Sequence, residues 1–173
     1  MIMKKQIRYI LLAITLFGFN VASYAQKTDF SGLWKLNIEK SEFGDVPANA
    51  AAIEYNVEMK QNEISLRWNT IDNKGEIAKS NQKILLNEAE VSTVLPSERT
   101  RTISAKLTSD GKMLVLKKSY SKPGIAEETD YVLRESWSLN NGGKELMIEL
   151  ISPKYRIKAV YDKVMLTKEE ERK

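Results

Sequence analysis

The run Ala51-Ala52-Ile53-Glu54-Tyr55-Asn56-Val57-Glu58-Met59 decides the fold class. Ala51, Ile53, Tyr55, Val57 and Met59 fall on one face, and Glu54, Asn56 and Glu58 on the other. Such alternation marks a half-buried β-strand, because successive side chains of an extended chain point to opposite faces. The same two-residue rhythm spreads both ways from this stretch. Upstream, Trp34, Leu36 and Ile38 alternate with Lys35, Asn37 and Glu39; downstream, Ile64, Leu66 and Trp68 alternate with Ser65, Arg67 and Asn69. Further rows follow at Ile103, Ala105 and Leu107, at the more continuous 113–116, and at Tyr131, Leu133, Trp137 and Leu139. Leu146, Ile148 and Leu150, then Tyr155, Ile157, Ala159 and Tyr161, close the series. No segment carries a convincing 3.6-residue pattern of apolar positions.

The punctuation agrees with strands. Asp72-Asn73-Lys74-Gly75, Ser109-Asp110-Gly111-Lys112, Ser121-Lys122-Pro123-Gly124 and Asn140-Asn141-Gly142-Gly143 are turn clusters, with Gln61-Asn62-Glu63 a weaker one. Gly, Asn and Asp supply the positive φ of tight hairpins. Short hairpins make neighbouring strands antiparallel, since parallel pairs need crossovers of a dozen or more residues. A meander of twisted strands leaves two edges unless it closes on itself. The expected fold is therefore all-β, a single antiparallel up-and-down barrel of about eight to ten strands. A two-layer sandwich is the competing architecture, with residues 40–50 and 87–98 as its longer connections. The least regular stretch is 76–98, where the strand is polar and Pro96 bars a central position.

Composition narrows the chemistry. The chain of 173 residues has neither cysteine nor histidine. That excludes disulfides, thiolate or imidazole metal sites, and Ser-His or Cys-His nucleophile pairs. No metal and no cofactor are expected. No P-loop, G-x-S-x-G or dinucleotide-binding glycine turn is present, and Glu127-Glu128 and Glu169-Glu170-Glu171 read as hydrated loop or tail. The expectation is a protein that is not an enzyme.

Residues 1–25 have the three parts of a secretory signal: cationic Lys4, Lys5 and Arg8, an apolar run over 9–19, and Ser23-Tyr24-Ala25 before Gln26. The apolar run is barely half the length that spans a bilayer. Cleavage before Gln26 is expected, with a periplasmic or secreted product and no stable membrane insertion afterwards. Lys4, Lys5 and Arg8 belong to the 27 basic residues, so without them the surplus over the 23 acids falls to one. The formal +4 is then largely a property of the leader, and nucleic-acid binding is not expected. One domain over 26–166 and a charged tail over 167–173 complete the organisation.

The segment Asp29-Phe30-Ser31-Gly32-Leu33-Trp34-Lys35-Leu36 resembles the start of the calycin superfamily, the lipocalins and fatty-acid-binding proteins, whose first strand carries G-x-W. Thr129-Asp130-Tyr131 is similar to the T-D-Y late in lipocalin barrels, and Val160-Tyr161-Asp162-Lys163 to the closing strand of fatty-acid-binding proteins. The whole arrangement resembles a group of secreted bacterial lipocalin-like proteins. The resemblance implies a structural signature of Gly32 and Trp34, with Trp34 plugging the closed end and Arg156 the nearest candidate for the arginine lying over it. It also implies a small apolar or amphipathic ligand in the interior. The departures are a missing helical pair, for which residues 40–50 are too few, and Ala159-Val160-Tyr161 where fatty-acid-binding proteins have R-x-Y.

Several residues are candidates for ligand contact. Arg99 and Arg101 share parity with Ile103, Ala105 and Leu107, which would aim both guanidinium groups into one mouth of the barrel, ready for an anionic head group. The competing reading starts the strand after Arg101 and leaves both solvated. Glu135 interrupts the row Tyr131, Leu133, Trp137, Leu139; a buried carboxylate needs a partner, and Arg101 or another arginine is the expected one. An outer-facing or bulge position is its alternative. Trp68, Tyr131 and Tyr161, with Trp34, Trp137 and Tyr55, supply an aromatic interior that serves equally as core. Two functions stay open: a ligand-binding barrel, and a structural or protein-interaction barrel with a filled interior and no small ligand.

Overall fold

The computed structural model describes residues 27–72 and 74–165. The expected signal segment, its cleavage point and the charged tail lie outside the described residues. Ten strands form: β1 (Gly32–Glu42), β2 (Glu54–Lys60), β3 (Glu63–Ile71), β4 (Ile77–Leu85), β5 (Val91–Val94), β6 (Thr100–Leu107), β7 (Leu114–Lys122), β8 (Ile125–Asn140), β9 (Glu145–Ile151) and β10 (Arg156–Lys163). All pair antiparallel in one sheet, in the order β4-β3-β2-β1-β10-β9-β8-β7-β6-β5. That order is the chain order joined head to tail by the β1–β10 pair, so the sheet curls into a nearly closed barrel and not into a sandwich. Each turn cluster read from the sequence sits between two consecutive strands, as hairpin chemistry requires.

Residues 76–98 resolve into β4 and β5 with an irregular link. The two strands end the sheet order without a ladder between them among the described residues. Side chains and the link bridge the seam instead. Thr93 Oγ1 donates to Gln82 Oε1 at 3.1 Å, and Asn87 makes an isolated bridge to Lys106. Pro96 lies just past β5, where no ladder N–H is needed.

Alternation sets what faces inward. Tyr55 and Val57 of β2, Ile64, Leu66 and Trp68 of β3, Leu114 and Leu116 of β7, and Trp137 of β8 are all buried. β1, β3, β7 and β9 begin at the same pole of the barrel, where Trp34 and Phe30 are fully enclosed. The Trp34 indole Nε1 donates to the Phe30 carbonyl at 3.0 Å, so the large ring is buried without an orphaned donor. The cation over Trp34 is Lys163, its Nζ 5.0 Å from the ring centroid. Arg156, the candidate named above, faces outward and binds Glu149. The reason is parity: Ile157, Ala159, Tyr161 and Lys163 form the inward row of β10, and 156 is one residue off it. Gly32 completes this base. Its φ is +149°, and a Cβ there would stand 2.8 Å from Lys163 Cε, so glycine gives the lysine room to cross over the indole.

The opposite pole is the mouth. It is formed by the hairpins β3–β4 and β7–β8, the turns before β6 and β10, and the link from β1 to β2. That link holds a single 3-10 turn, Ala48–Ala50, in keeping with the departure from fatty-acid-binding proteins read from its length, which is too short for a helical pair.

Candidate functional site

Between base and mouth the inward rows of β6, β7 and β8 place charge inside the barrel. Arg101 of β6 and Lys118 of β7 are each 7% exposed, and Glu135 of β8 is 2% exposed. Lys118 Nζ donates to Glu135 Oε1 at 2.5 Å, and Trp137 Nε1 donates to Glu135 Oε2 at 2.9 Å. Both carboxylate oxygens are therefore occupied. The expectation that an arginine meets Glu135 is corrected: its partner is Lys118. Arg101 stands opposite Tyr120 and not Glu135 in the sheet register, whereas β7 separates β6 from β8.

Arg101 lies instead over Trp68, its guanidinium carbon 4.9 Å from the ring centroid, with Lys118 Nζ 5.6 Å from the same ring. Its Nε is buried and has no hydrogen-bond partner among the described residues. The interior thus holds two cations and one anion, with one donor unspent. Such a group is costly to bury unless something else accepts its hydrogen bond.

Aromatic rings close around this charge. Tyr55 meets Trp137 edge-on at 4.9 Å and Tyr161 at 5.4 Å, and the Tyr161 hydroxyl donates to the Ala52 carbonyl at 3.0 Å. Burial, aided by the Glu135 charge, raises the phenols of Tyr55 and Tyr161 well above the usual tyrosine range. Burial also raises Tyr120, against the opposing pull of Arg101. These phenols stay neutral hydrogen-bonding groups at any ordinary pH.

A chamber of about 110 Å³ is lined by Tyr55, Trp68, Lys118, Tyr120, Glu135 and Tyr161, among others. Outside it, at the mouth, a groove of about 400 Å³ runs between Arg99, Tyr131, Leu133, Pro153, Lys154 and Tyr155. Leu133 borders both spaces. The stacked pair Tyr120–Tyr131, centroids 4.7 Å apart, stands between them.

The sequence candidates fall into four places. Arg101, Glu135, Trp68 and Tyr161 come together inside. Arg99 and Tyr131 sit at the mouth, because Arg99 precedes β6 in the turn closed by the bond from Leu95 N to the Arg99 carbonyl. There Arg99 Nη1 binds Asp130 Oδ2 at 2.5 Å and the Ser121 carbonyl at 2.8 Å, with the guanidinium 5.7 Å from the Tyr131 ring. Its charge is already matched, unlike that of Arg101. Gly32 and Trp34 form the base, and Arg156 is on the outside. The residue sequence reasoning missed is Lys118. Its signal was available in the parity of Leu114, Leu116, Lys118 and Tyr120, but the adjacent Lys117 disguises the pair as a solvated charge run.

No protein-family model matches the chain, and no curated protein sequence does. Solved structures do match in shape. One titled a REP1-NXSQ fatty acid transporter superposes with a TM-score of 0.55 at 12% identity, covering 80% of this chain and 98% of that one. The fluorescent protein UnaG gives 0.52 at 13% identity, covering 78% and 97%. An abundant heat soluble (SAHS) protein from Ramazzottius varieornatus gives 0.54 at 14% identity, covering 78% and 94%. At these identities the likeness is one of fold, and the fold of this chain is that of a calycin-like barrel.

Proposed function

We propose that the protein is an exported barrel that takes up a small amphipathic molecule through its mouth. The observation that carries this reading is the groove of about 400 Å³ at the mouth, lined by Tyr131, Leu133, Pro153 and Tyr155 together with Arg99 and Lys154, which shares Leu133 with the aromatic chamber inside. Lys154 of that groove suits the anionic end of such a molecule. The groove at the mouth supports entry for an apolar remainder, since pockets for ligands of drug size occupy about 300–1,000 Å³ and are mostly apolar. The likeness in fold to a REP1-NXSQ fatty acid transporter points the same way. The leader pattern of residues 1–25 supports export to the periplasm or beyond.

The proposed role is binding and not catalysis. Glu135 is the only buried carboxylate among the described residues, and Lys118 and Trp137 engage both its oxygens. A filled structural barrel is the second reading, favoured by the small inner chamber. Native mass spectrometry of the purified protein, with melting curves across a panel of fatty acids and sterols, separates the two. A co-purified acid, or a rise in Tm with an acid, supports uptake. A bare protein with an unmoved Tm across the panel refutes it.

A further inference from the structure

We propose that the tip of the β7–β8 hairpin, residues 121–130, is a lid over the inner chamber and that Arg99 is its latch. The first ground is how the tip joins the sheet. The β7–β8 ladder keeps one register as far as the stacked pair Tyr120 and Tyr131. It then shifts twice, so that Asp130, and next Ala126, Glu127 and Glu128, have no partner on β7. Extra residues of this kind interrupt a ladder and let the strand bend. On the other side of β7, the β6–β7 ladder stops at Arg101 opposite Tyr120. Regular pairing on both sides therefore ends at one level, that of the two rings.

The second ground is what holds the tip down. Ile125 through Asp130 are all exposed, so no core packing fixes them. The tip is tied instead to the turn that precedes β6. Arg99 Nη1 donates to Asp130 Oδ2 at 2.5 Å and to the Ser121 carbonyl at 2.8 Å. The Thr100 N–H donates to Ser121 Oγ at 2.8 Å, and the Gly124 N–H to the Glu98 carbonyl at 3.0 Å. The turn itself is braced, with the Leu95 N–H donating to the Arg99 carbonyl and the Glu98 N–H to the Leu95 carbonyl. Arg99 thus reaches from a fixed support to the extra residue Asp130, with its guanidinium against the neighbouring Tyr131 ring.

The third ground is where the rings lie. Tyr120 lines the chamber and Tyr131 the groove, and their stack, with planes 14° apart, walls one space from the other. Tyr131 directly follows the latched residue, so the position of Asp130 sets that of the ring. With Arg99 engaged, the stack is closed. With Arg99 released, the tip turns about the unpaired residues, Tyr131 leaves Tyr120, and the chamber becomes the inner end of the groove. Both partners of the Arg99–Asp130 pair are partly exposed, and such pairs contribute little, so the latch is easily undone.

Hydrogen exchange and acrylamide quenching of tryptophan fluorescence, on the whole purified protein, test this without any ligand, so failure here leaves the uptake reading untouched. Asp130→Asn should speed exchange in the peptide 119–131 by about fivefold or more, while β9 exchanges as in the parent. Trp34 and Trp137 are fully enclosed, whereas Trp68 lines the chamber. Quenching should therefore rise by about twofold in Asp130→Asn, and adding Trp68→Phe should remove the rise. Arg99→Gln should match Asp130→Asn; if it unfolds early, the exposed Asp130 variant decides alone. Unchanged exchange at the tip overturns the latch. Faster exchange with unchanged quenching overturns the lid, since the tip then loosens without opening the chamber. Faster exchange across β9 and β10 as well marks general loosening and overturns both. A rise in quenching that survives Trp68→Phe puts the opening elsewhere and overturns the lid.

Discussion

Glu135→Leu is the most informative single substitution. It takes away the buried carboxylate and leaves Lys118 and Arg101 as two enclosed cations, with the Trp137 Nε1 donor unpaired. Breaking a buried pair by removing one partner costs about 3–5 kcal/mol, and an orphaned buried donor about 1–3 kcal/mol more. The lower ends together give a loss of about 4 kcal/mol. In a domain of this size each kcal/mol shifts Tm by about 2–4 °C, so the variant should melt roughly 8–16 °C below the parent. The double variant Lys118→Met with Glu135→Leu removes both charges and keeps the volume apolar, and such replacements are often neutral or stabilising. It should recover to within about 2 kcal/mol of the parent, the residue being the lost indole bond. Thermal unfolding by circular dichroism and urea unfolding of the parent, the double variant and the two single variants, Glu135→Leu and Lys118→Met, complete the cycle. If Glu135→Leu costs under about 1 kcal/mol, or the double variant is no better than the single, the pair is not the desolvated one described and the argument for a charged interior fails.

Three further outcomes are expected. Gly32→Ala should lose about 1–3 kcal/mol in urea midpoint measurements, because alanine is strained at φ +149° and its Cβ meets Lys163. Lys163→Ala should cost about 1 kcal/mol by exposing the Trp34 face, whereas Arg156→Ala should change stability by under about 0.5 kcal/mol; the reverse ranking would return Arg156 to the base. Raised phenols make stability pH-dependent on the alkaline side. Above pH ~10 the unfolded chain releases tyrosine protons that Tyr55 and Tyr161 retain in the fold, so stability holds below that pH and falls above it by about 1.4 kcal/mol per unit for each tyrosine. Tyr161→Phe should flatten that slope by one tyrosine's share, read from urea midpoints on either side of pH ~10.

The strand faces were legible because alternation is a local property. Ala51 through Met59, or Tyr155 through Tyr161, can be read without knowing any neighbour. Closure was legible indirectly, from short hairpins and the need to dispose of two edges. What the sequence hides is anything set by registry between strands. Arg101 was placed on the inward row by parity, yet whether Glu135 meets it depends on which strand lies between them, and that strand brought Lys118. Arg156 failed for a similar reason: a family position counted along the chain does not survive a one-residue change of parity. Arg99 shows a third limit. It obeys the parity of β6 but lies beyond the last ladder bond, where a turn and Asp130 decide its direction.

The seam between β4 and β5 has a consequence for how the chain finds its fold. The pairing that joins the two halves is β1 with β10, and Asn37 bonds Asp162 across 125 positions of sequence. Closing so long a loop has to precede the reward of that ladder, which slows folding. The described ends nonetheless meet at one pole, where Trp34 lies opposite Lys163. A circular permutant with those ends joined by a short linker and the chain opened in the β4–β5 link would turn every ladder into a nearest-neighbour hairpin. It should keep the same barrel and refold faster than the parent in stopped-flow measurements.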